Sequence, residues 1–480
     1  TSNIGELMII LGTNSIKDTG FDVANSCRFN DDDAAYLHKT PSGAGNRQKF
    51  TLSCWLKKSS GGTEEILVAG VNNTNYTRIG FEAGDELKLF GAASSSTVWE
   101  IQTQAKFRDF SAWYNFIFAF DTTQGTASDR IKIYVNGVRV TPSSGFGDET
   151  YPSQNYSTNI NHTEKHRVGV QVNDSGGAYD GYMSEVVLID NAQLDATSFG
   201  EFDSDSGIWK PIDVSGLTAG TNGFYLDFED SSNLGNDVFG GTDLTEVNLA
   251  ATDQSTDTCT NNFSTMNSLD LYFTNDTLSE GNLLVTNGAN YGFPISTFGL
   301  SSGKWYFECQ TSSWTSGDLA VGISARSSDA AADEFSNNTG GGRGYGFRSN
   351  GGVYGNGSTI VSAGGYTTGS GAHIIGMALN LDDNKLAFSV NGTWQGSTDP
   401  GAGTTNMISI EASSTNDTGV YFIALSGANS GAQTLNANFG SPAFSISSGN
   451  ADGNGYGNFE YSVPSGYFSL NTKNLAEYGG

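Results

Sequence analysis

Hydrophobic and polar positions alternate along this chain in short runs, and the runs end at Gly, Asn, Asp or Ser rather than at helix caps. Phe50-Thr51-Leu52-Ser53-Cys54-Trp55-Leu56 follows the period of two that a half-buried strand imposes, and Trp113 to Phe120 is a denser apolar run. Ile131 to Val135 leads into Asn136-Gly137 and returns through Val138-Arg139-Val140. Asn-Gly between two such runs is the pattern of a two-residue hairpin, whose turn needs positive φ at both central positions. The same device recurs late in the chain, where Lys385 to Val390 is followed by Asn391-Gly392 and then Thr393-Trp394. Helical periodicity is nearly absent. Strands at this spacing with no helices between them predict an all-β chain of two antiparallel β-sandwiches in tandem, of jelly-roll type.

The 480 residues exceed what one hydrophobic core holds. From about Pro211 to Asp276 the strand pattern loosens: Asp227 to Asp237 is acidic and turn-rich, and Thr252 to Asn262 is almost wholly polar. The expected division is therefore 1–25 as an N-terminal strand or assembly segment, 26–210 as the first sandwich, 211–275 as an acidic connector and 276–480 as the second sandwich. The early apolar run Leu7-Met8-Ile9-Ile10-Leu11 has neither a basic segment before it nor a small-residue cleavage site after it. It reads as a strand or an assembly contact, not as a signal peptide. No stretch reaches the roughly 20 apolar residues that a membrane-spanning helix needs, so membrane insertion is not expected.

Composition sharpens this picture. The chain carries 63 Gly and only 8 Pro, with 29 Phe and 20 Tyr. Turns are thus abundant, yet aromatic residues suffice for packed cores, which argues against disorder. The formal charge of −28 repels phosphate backbones, so nucleic acid is not an expected partner. Cys27, Cys54, Cys259 and Cys309 show no C-x-x-C spacing. That excludes a zinc knuckle or ribbon and leaves free, mostly buried thiols as the plain reading.

Four stretches of the first half resemble the laminin-G/concanavalin-like sandwiches of bacterial surface proteins and phage fibres. They are Ser26 to Asp32, Phe50 to Leu56, Trp113 to Val140, and the closing strand Tyr179-Asp180-Gly181-Tyr182-Met183-Ser184-Glu185-Val186-Val187-Leu188, which runs into Asp190-Asn191-Ala192-Gln193-Leu194-Asp195. The second half resembles a SPRY-type sandwich through Gly303 to Glu308, Ala320 to Ile323, Tyr345 to Phe347, Ile375 to Trp394, Tyr421 to Ser426 and Leu435 to Gly440. The tandem, and the tail Pro464 to Leu475, are similar to large virion-associated proteins of bacterial viruses. This resemblance implies a fibre, spike or capsid decoration on the virion surface, with a host cell-surface glycan or protein and other virion proteins as partners. It also implies a homo-oligomer, a trimer by analogy with fibres. The alternative is a bacterial extracellular, calcium-dependent lectin or adhesin.

No catalytic constellation stands out, and no enzyme activity is expected, with a polysaccharide depolymerase as the fainter alternative. Glu201-Phe202-Asp203-Ser204-Asp205 lacks the second Glu that a laminarinase-type E-x-D-x-x-E pair requires. His162 and His166 run directly into a strand, where their spacing carries no metal-binding meaning, and they read as surface residues. Gly340 to Gly346 lacks the Lys-Ser/Thr of a phosphate loop. The resemblance to laminin-G modules makes Ca²⁺ the one cofactor to look for. Asp31, Asp32, Asp33 and Asp180 are the candidate ligands, and Asp227 to Asp237 is a second acidic loop; solvated turn carboxylates are the competing reading. Trp99, Trp314, Tyr354 and Tyr366 lie in turn-rich surroundings and are the candidate sugar-stacking residues, weighed against ordinary core packing.

Overall fold

The computed structural model describes residues 20–479 apart from 272–275, 289–291, 315–318, 326–343, 368, 370, 417 and 428–432. The Leu7–Leu11 run and Gly340 to Arg343 of the glycine-rich stretch lie outside the described residues. The chain is all-β and its sheets are antiparallel. It divides into two compact units, one running to Thr260 and the other beginning at Asn261.

Two eight-stranded sheets face each other in the first unit. One is ordered Val138–Arg139, Ile131–Val135, Tyr114–Asp121, Lys49–Lys58, Gly181–Asp190, Ser26–Phe29 and Gln254–Ser255, with Phe224–Leu226 joined to Gly181–Asp190. The other runs Phe146–Thr150, Ser96–Lys106, Glu86–Ala93, Asn75–Phe81, Glu64–Asn72, His166–Val168, Tyr36–Lys39 and Thr245–Val247. Alternation sends Phe50, Leu52, Cys54 and Leu56 into the core between the sheets, where Phe118, Phe120, Trp99 and Ile101 meet them. Trp55, Ile117, Tyr182, Val187 and Ile189 point to the opposite face, and that face is covered as well, by Phe199, Trp209 and Val214. Both faces of the central strands are dry. This is why Trp113 to Phe120 reads as a dense apolar run, unlike the alternating Phe50 to Leu56.

The expected connector is part of this unit as far as Thr260. Its three short strands, Phe224–Leu226, Thr245–Val247 and Gln254–Ser255, pair with Gly181–Asp190, Tyr36–Lys39 and Ser26–Phe29. A buried ion pair fastens its end. Asp257 Oδ2 lies 2.7 Å from Lys57 Nζ, and its Oδ1 accepts from Trp113 Nε1 at 2.9 Å. Burial lowers the Lys57 ammonium from its ordinary range, and the Asp257 carboxylate opposes that shift. The polar sequence of 252–262 hid this packing because its contribution is ionic and hydrogen-bonded, not apolar.

Among the described residues, an eight-stranded and a five-stranded sheet make the second unit. The larger is ordered Thr277–Ser279, Leu284–Thr286, Thr434–Asn438, Lys304–Thr311, His373–Asn380, Lys385–Val390 and Thr393–Trp394, with Ile408–Ser409 beside Lys385–Val390. The smaller runs Ser358–Val361, Val353–Gly355, Gly344–Arg348, Ala320–Ser324 and Phe422–Ser426. Phe307, Cys309, Val321, Ile323, Phe347, Phe388 and Leu425 fill the space between them.

The two Asn-Gly hairpins are built alike. Asn136 and Gly137 have φ of 45° and 76°, and Asn391 and Gly392 have 46° and 76°. Each Asn side chain accepts from a backbone N–H of the neighbouring strand, that of Asn115 at 2.8 Å and of Ile374 at 2.9 Å. A Cβ on Gly137 would lie 2.2 Å from the Trp209 ring, and one on Gly392 would lie 2.4 Å from Tyr461. Each turn therefore requires its glycine twice, for φ and for space.

All four cysteines are free thiols. Cys27 and Cys54 do not face each other across neighbouring strands, because Gly181–Asp190 pairs with both of their strands and lies between them.

Replacing Asp257 by Ala removes the carboxylate that Lys57 and Trp113 share. The expected cost is about 3–5 kcal/mol, read as a lower urea midpoint for the transition of the 18–260 unit. An unchanged midpoint would show that the segment beyond 210 adds nothing to this unit.

Candidate functional site

Loops at one end of the first sandwich converge on a single carboxylate. Asp190 is the last residue of its strand and sits opposite Phe50, next to the start of Lys49–Lys58. It is 3% exposed. Its Oδ1 accepts from the backbone N–H of Asn46 at 2.8 Å and from Asn161 Nδ2 at 3.0 Å, and its Oδ2 accepts from the N–H of Asn222 at 3.1 Å. Three loops that are distant in sequence are thereby pinned to one residue.

Asparagines extend the brace. Asn161 Nδ2 also donates to the Asn46 carbonyl at 3.0 Å, and Asn222 Nδ2 donates to the carbonyls of Gly43 at 3.0 Å and Asn161 at 3.2 Å. Gly45 N–H donates to the Asn161 carbonyl at 2.8 Å. A Cβ on Gly45 would lie 1.9 Å from Asp190 Oδ2, so only glycine lets that loop close. A side-chain amide both donates and accepts, which suits Asn to linking backbone segments that no sheet pairs.

The braced loops enclose an open depression of ≈ 610 Å³ lined in part by Asn46, Arg47, Gln48, Ser157, Asn191 and Thr221. Arg47 is held in place by its Nε, which donates to the Thr158 carbonyl at 2.6 Å. Asn46 Nδ2 donates to Asn191 Oδ1 at 2.7 Å. The lining is a fixed guanidinium, the braced Asp190 carboxylate, amides and hydroxyls, with no aromatic ring among the lining residues. It offers hydrogen bonds to hydroxyls and a cation to a carboxylate, and no stacking face.

His166 supports the brace from behind. Its Nε2 accepts from the Asn161 N–H at 2.9 Å while its Nδ1 lies 2.8 Å from the Glu164 carbonyl. These partners call for the neutral ring with its proton on Nδ1. Contrary to the surface reading of the sequence, His166 is 3% exposed, because it lies on the inner strand His166–Val168 between Glu64–Asn72 and Tyr36–Lys39.

The stacking candidates lie elsewhere. Trp99 and Trp314 are core residues, each 1% exposed. Trp99 packs edge-on against Phe120, and Trp314 lies tilted against Phe347. Tyr354 is buried beneath Arg348, and Tyr366 is half-buried against Phe347. The turn residues around them in sequence do not carry them outward, since burial of a large ring outweighs local turn character.

Nor do the acidic candidates gather around one point. Asp31, Asp32 and Asp33 occupy an exposed turn after Ser26–Phe29, with Asp33 Oδ2 accepting from Asn30 Nδ2 at 3.0 Å. Asp180 is buried, and its carbonyl accepts from the Ser59 N–H. Burial holds the Glu64 carboxyl well above its usual range; Lys58 opposes that shift, and the negative charges of Asp180, Asp85 and Asp31 add to it. The cation among them is Lys58, whose Nζ lies 2.9 Å from Asp85 and 3.8 Å from Glu64. Within Asp227 to Asp237 the carboxylates cap turns: Asp230 Oδ1 accepts from the Ser232 N–H and Asp237 Oδ1 from the Phe239 N–H. Among the described residues no group of three or more His, Cys, Asp or Glu side chains is arranged to hold a metal. Glu201 and Asp203 both turn to Lys210 Nζ, at 3.3 and 3.6 Å, and Asp203 caps its own turn through Ser206.

Comparison with known proteins places residues 30–196 in a match to a laminin-G family model described as the Concanavalin A-like lectin/glucanases superfamily. No curated protein matches the chain. Among solved structures, the SPRY domain of human HERC1 is similar at 15% identity over 34% of this chain and 91% of its own, with a TM-score of 0.26. A Bacteroides ovatus protein assigned as carbohydrate-binding is similar at 15% identity over 47% of this chain and 58% of its own, with a TM-score of 0.32. A heptameric SAP-like pentraxin from Limulus polyphemus is similar at 17% identity over 36% and 80%, with a TM-score of 0.27. The two-sandwich architecture rests on the strand pairing already described. The residues of the Asp190 brace carried no motif. The signal within the sequence was an Asp-Asn pair closing a long apolar strand.

Burial pushes the His166 imidazole down to about 4. The unfolded chain takes up this proton near pH 6.5. The neutral ring's contribution is therefore complete above pH 6.5 and is lost as pH falls through 4. Compared with His166→Gln, which does not titrate, the unmodified chain is expected to lose about 2–3 kcal/mol more stability between pH 7 and 4.5. Urea unfolding at the two pH values measures this, and parallel losses in both chains would contradict it.

Proposed function

We propose that this chain is a non-catalytic binding protein that takes carbohydrate at the Asp190-braced depression of its first sandwich. The observation that carries this reading is the fixed arrangement of Arg47, Asn46, Gln48 and Asn191 over a carboxylate that three loops share. Such a surface is organised before a ligand arrives, so little ordering opposes binding. Its donors match a hydroxyl-rich sugar, and the guanidinium matches a sugar carboxylate. The family match to lectin and glucanase sandwiches over residues 30–196 supports a carbohydrate ligand. Glu201 and Asp203, spent on Lys210 and on a turn, support binding without hydrolysis.

The setting we propose is the exterior of a bacterial virus particle, as a fibre, spike or capsid decoration, with the chain assembled as a homo-oligomer, a trimer in the first instance. Support comes from the tandem of a laminin-G-like and a SPRY-like module and from the tail Pro464 to Leu475, which together resemble large virion-associated proteins. In this setting the host-surface glycan is the ligand and the neighbouring virion proteins are the structural partners.

A glycan array with the full chain tests the binding half. Acidic or hydroxyl-rich oligosaccharides should be retained, and Arg47→Ala should weaken retention roughly 10- to 100-fold, the loss expected for a charge-assisted hydrogen bond. Thr221→Trp, which fills the depression from an exposed position, should abolish it. Retention unchanged in both variants would place the ligand elsewhere, and release of reducing sugar from the retained glycan would contradict the non-catalytic reading. Mass measurement of intact particles tests the setting, and a strict monomer that never associates with particles would contradict it.

A further inference from the structure

Three acceptor side chains form a row across one end of the large sheet in the second unit. Thr277 pairs with Thr286, and Thr286 pairs with Thr434. Continuing that register by one residue sets Asp276 beside Asn287 and Asn287 beside Gln433, and the Asn287 N–H donates to the Gln433 carbonyl at 2.9 Å. Residues directly opposite in antiparallel strands project from the same face, with Cβ atoms about 5 Å apart. Asp276, Asn287 and Gln433 therefore share one face.

Their hydrogen bonds are one-sided. Asp276 Oδ1 accepts from Asn287 Nδ2 at 3.2 Å and from the Gly288 N–H at 3.3 Å. Asp276 Oδ2, Asn287 Oδ1 and Gln433 Oε1 are buried and have no donor. Turning the Asn287 amide over would set its oxygen against the carboxylate, so the orientation shown is the favourable one. Asp276 is 4% exposed and Asn287 is 3% exposed. A buried oxygen without a donor costs about 1–3 kcal/mol, and a carboxylate more, so three in one row call for a common explanation.

Two glycines make room for the row. Gly292 and Gly427 form an antiparallel bridge. A Cβ on Gly292 would lie 1.5 Å from Asp276 Oδ2, and one on Gly427 would lie 2.0 Å from Asn287 Oδ1. The two oxygens thus lie over adjacent positions of one bridge, and any other residue there would expel them.

We propose that Asp276 Oδ2, Asn287 Oδ1 and Gln433 Oε1 are the protein ligands of a hard, calcium-class cation. All three are oxygens, one charged and two carboxamide, the donor set that Ca²⁺ takes with its flexible geometry. Mg²⁺ demands a stricter octahedron and gives up its water reluctantly, which suits two long carboxamide arms poorly. A cation between Asp276 Oδ2 and Asn287 Oδ1, which lie over the paired glycines, would satisfy both, and Gln433 shares their face. With one carboxylate, affinity falls in the range of extracellular modules, about 10⁻⁴–10⁻³ M. The site is separate from the carbohydrate reading and lies in the other unit.

Thermal unfolding of the full chain in CaCl₂ or MgCl₂, from zero to ten times the expected Kd, provides the test. Calcium should raise the melting temperature of the 261–480 unit, magnesium should not, and Asp276→Asn should weaken the calcium effect at least 10-fold. The paired variant Asp31→Asn/Asp180→Asn should leave it unchanged, which separates this site from general binding by an acidic chain. Competition between Tb³⁺ luminescence and Ca²⁺ on the unmodified chain gives a Kd that needs no variant. No calcium effect, an equal magnesium effect, or an undiminished effect in Asp276→Asn would overturn the proposal. Asp276→Asn more stable than the parent in calcium's absence, with calcium inert, would instead show a protonated Asp276 serving the row, and would overturn it too.

Discussion

Buried side-chain oxygens that collect donors from several loops at once are what the rest of this structure depends on. An all-β chain with long connections has many backbone N–H groups outside its sheet ladders, and each needs an acceptor. Asp190 answers this at one end of the first sandwich and Asp257 ties down its last segment. The second unit uses the same solution. Glu308 accepts from Tyr306 Oη, from the N–H groups of Glu460 and Tyr461, and from Asn438, fastening the tail to a central strand. Asp452 accepts from the N–H groups of Asn454, Tyr456 and Ser469 and from Asn474 Nδ2.

This pattern explains how so acidic a chain stays folded. Hydrogen bonds from several loops satisfy the oxygens of a buried carboxylate with little help from cations. Few lysines and arginines are then needed inside, and those present are committed: Lys57 to Asp257, Lys58 to Asp85, Arg78 to Glu65. Arg47 is different, anchored to carbonyls rather than to a carboxylate, and it stands at the depression proposed for ligand. Rigidity there follows from the brace, not from the sheet alone.

What the sequence made legible was what local chemistry dictates. Period-two alternation marked the central strands, and the two Asn-Gly turns appear with the positive φ they require. The end of the first unit was not legible, because 211–260 packs through short strands and the Lys57–Asp257 pair, whose partners lie 200 residues apart in sequence. Trp99 and Trp314 lie in the cores for a related reason. Turn residues beside Trp99 and Trp314 say nothing about which way a ring faces, and that is decided by core volume, which only the fold supplies. Asp190 was hidden because its donors come from loops around 46, 161 and 222, brought together by sheet closure alone.

Hydrogen–deuterium exchange at the backbone amides of Asn46 and Asn222 tests the claim that one carboxylate organises these loops. Both amides should exchange far more slowly than exposed loop amides such as Thr221 in the unmodified chain. In Asp190→Ala both should lose that protection together while the interior of Lys49–Lys58 keeps its own. Fast exchange at Asn46 and Asn222 in the unmodified chain, or protection that survives removal of the carboxylate, would contradict the account.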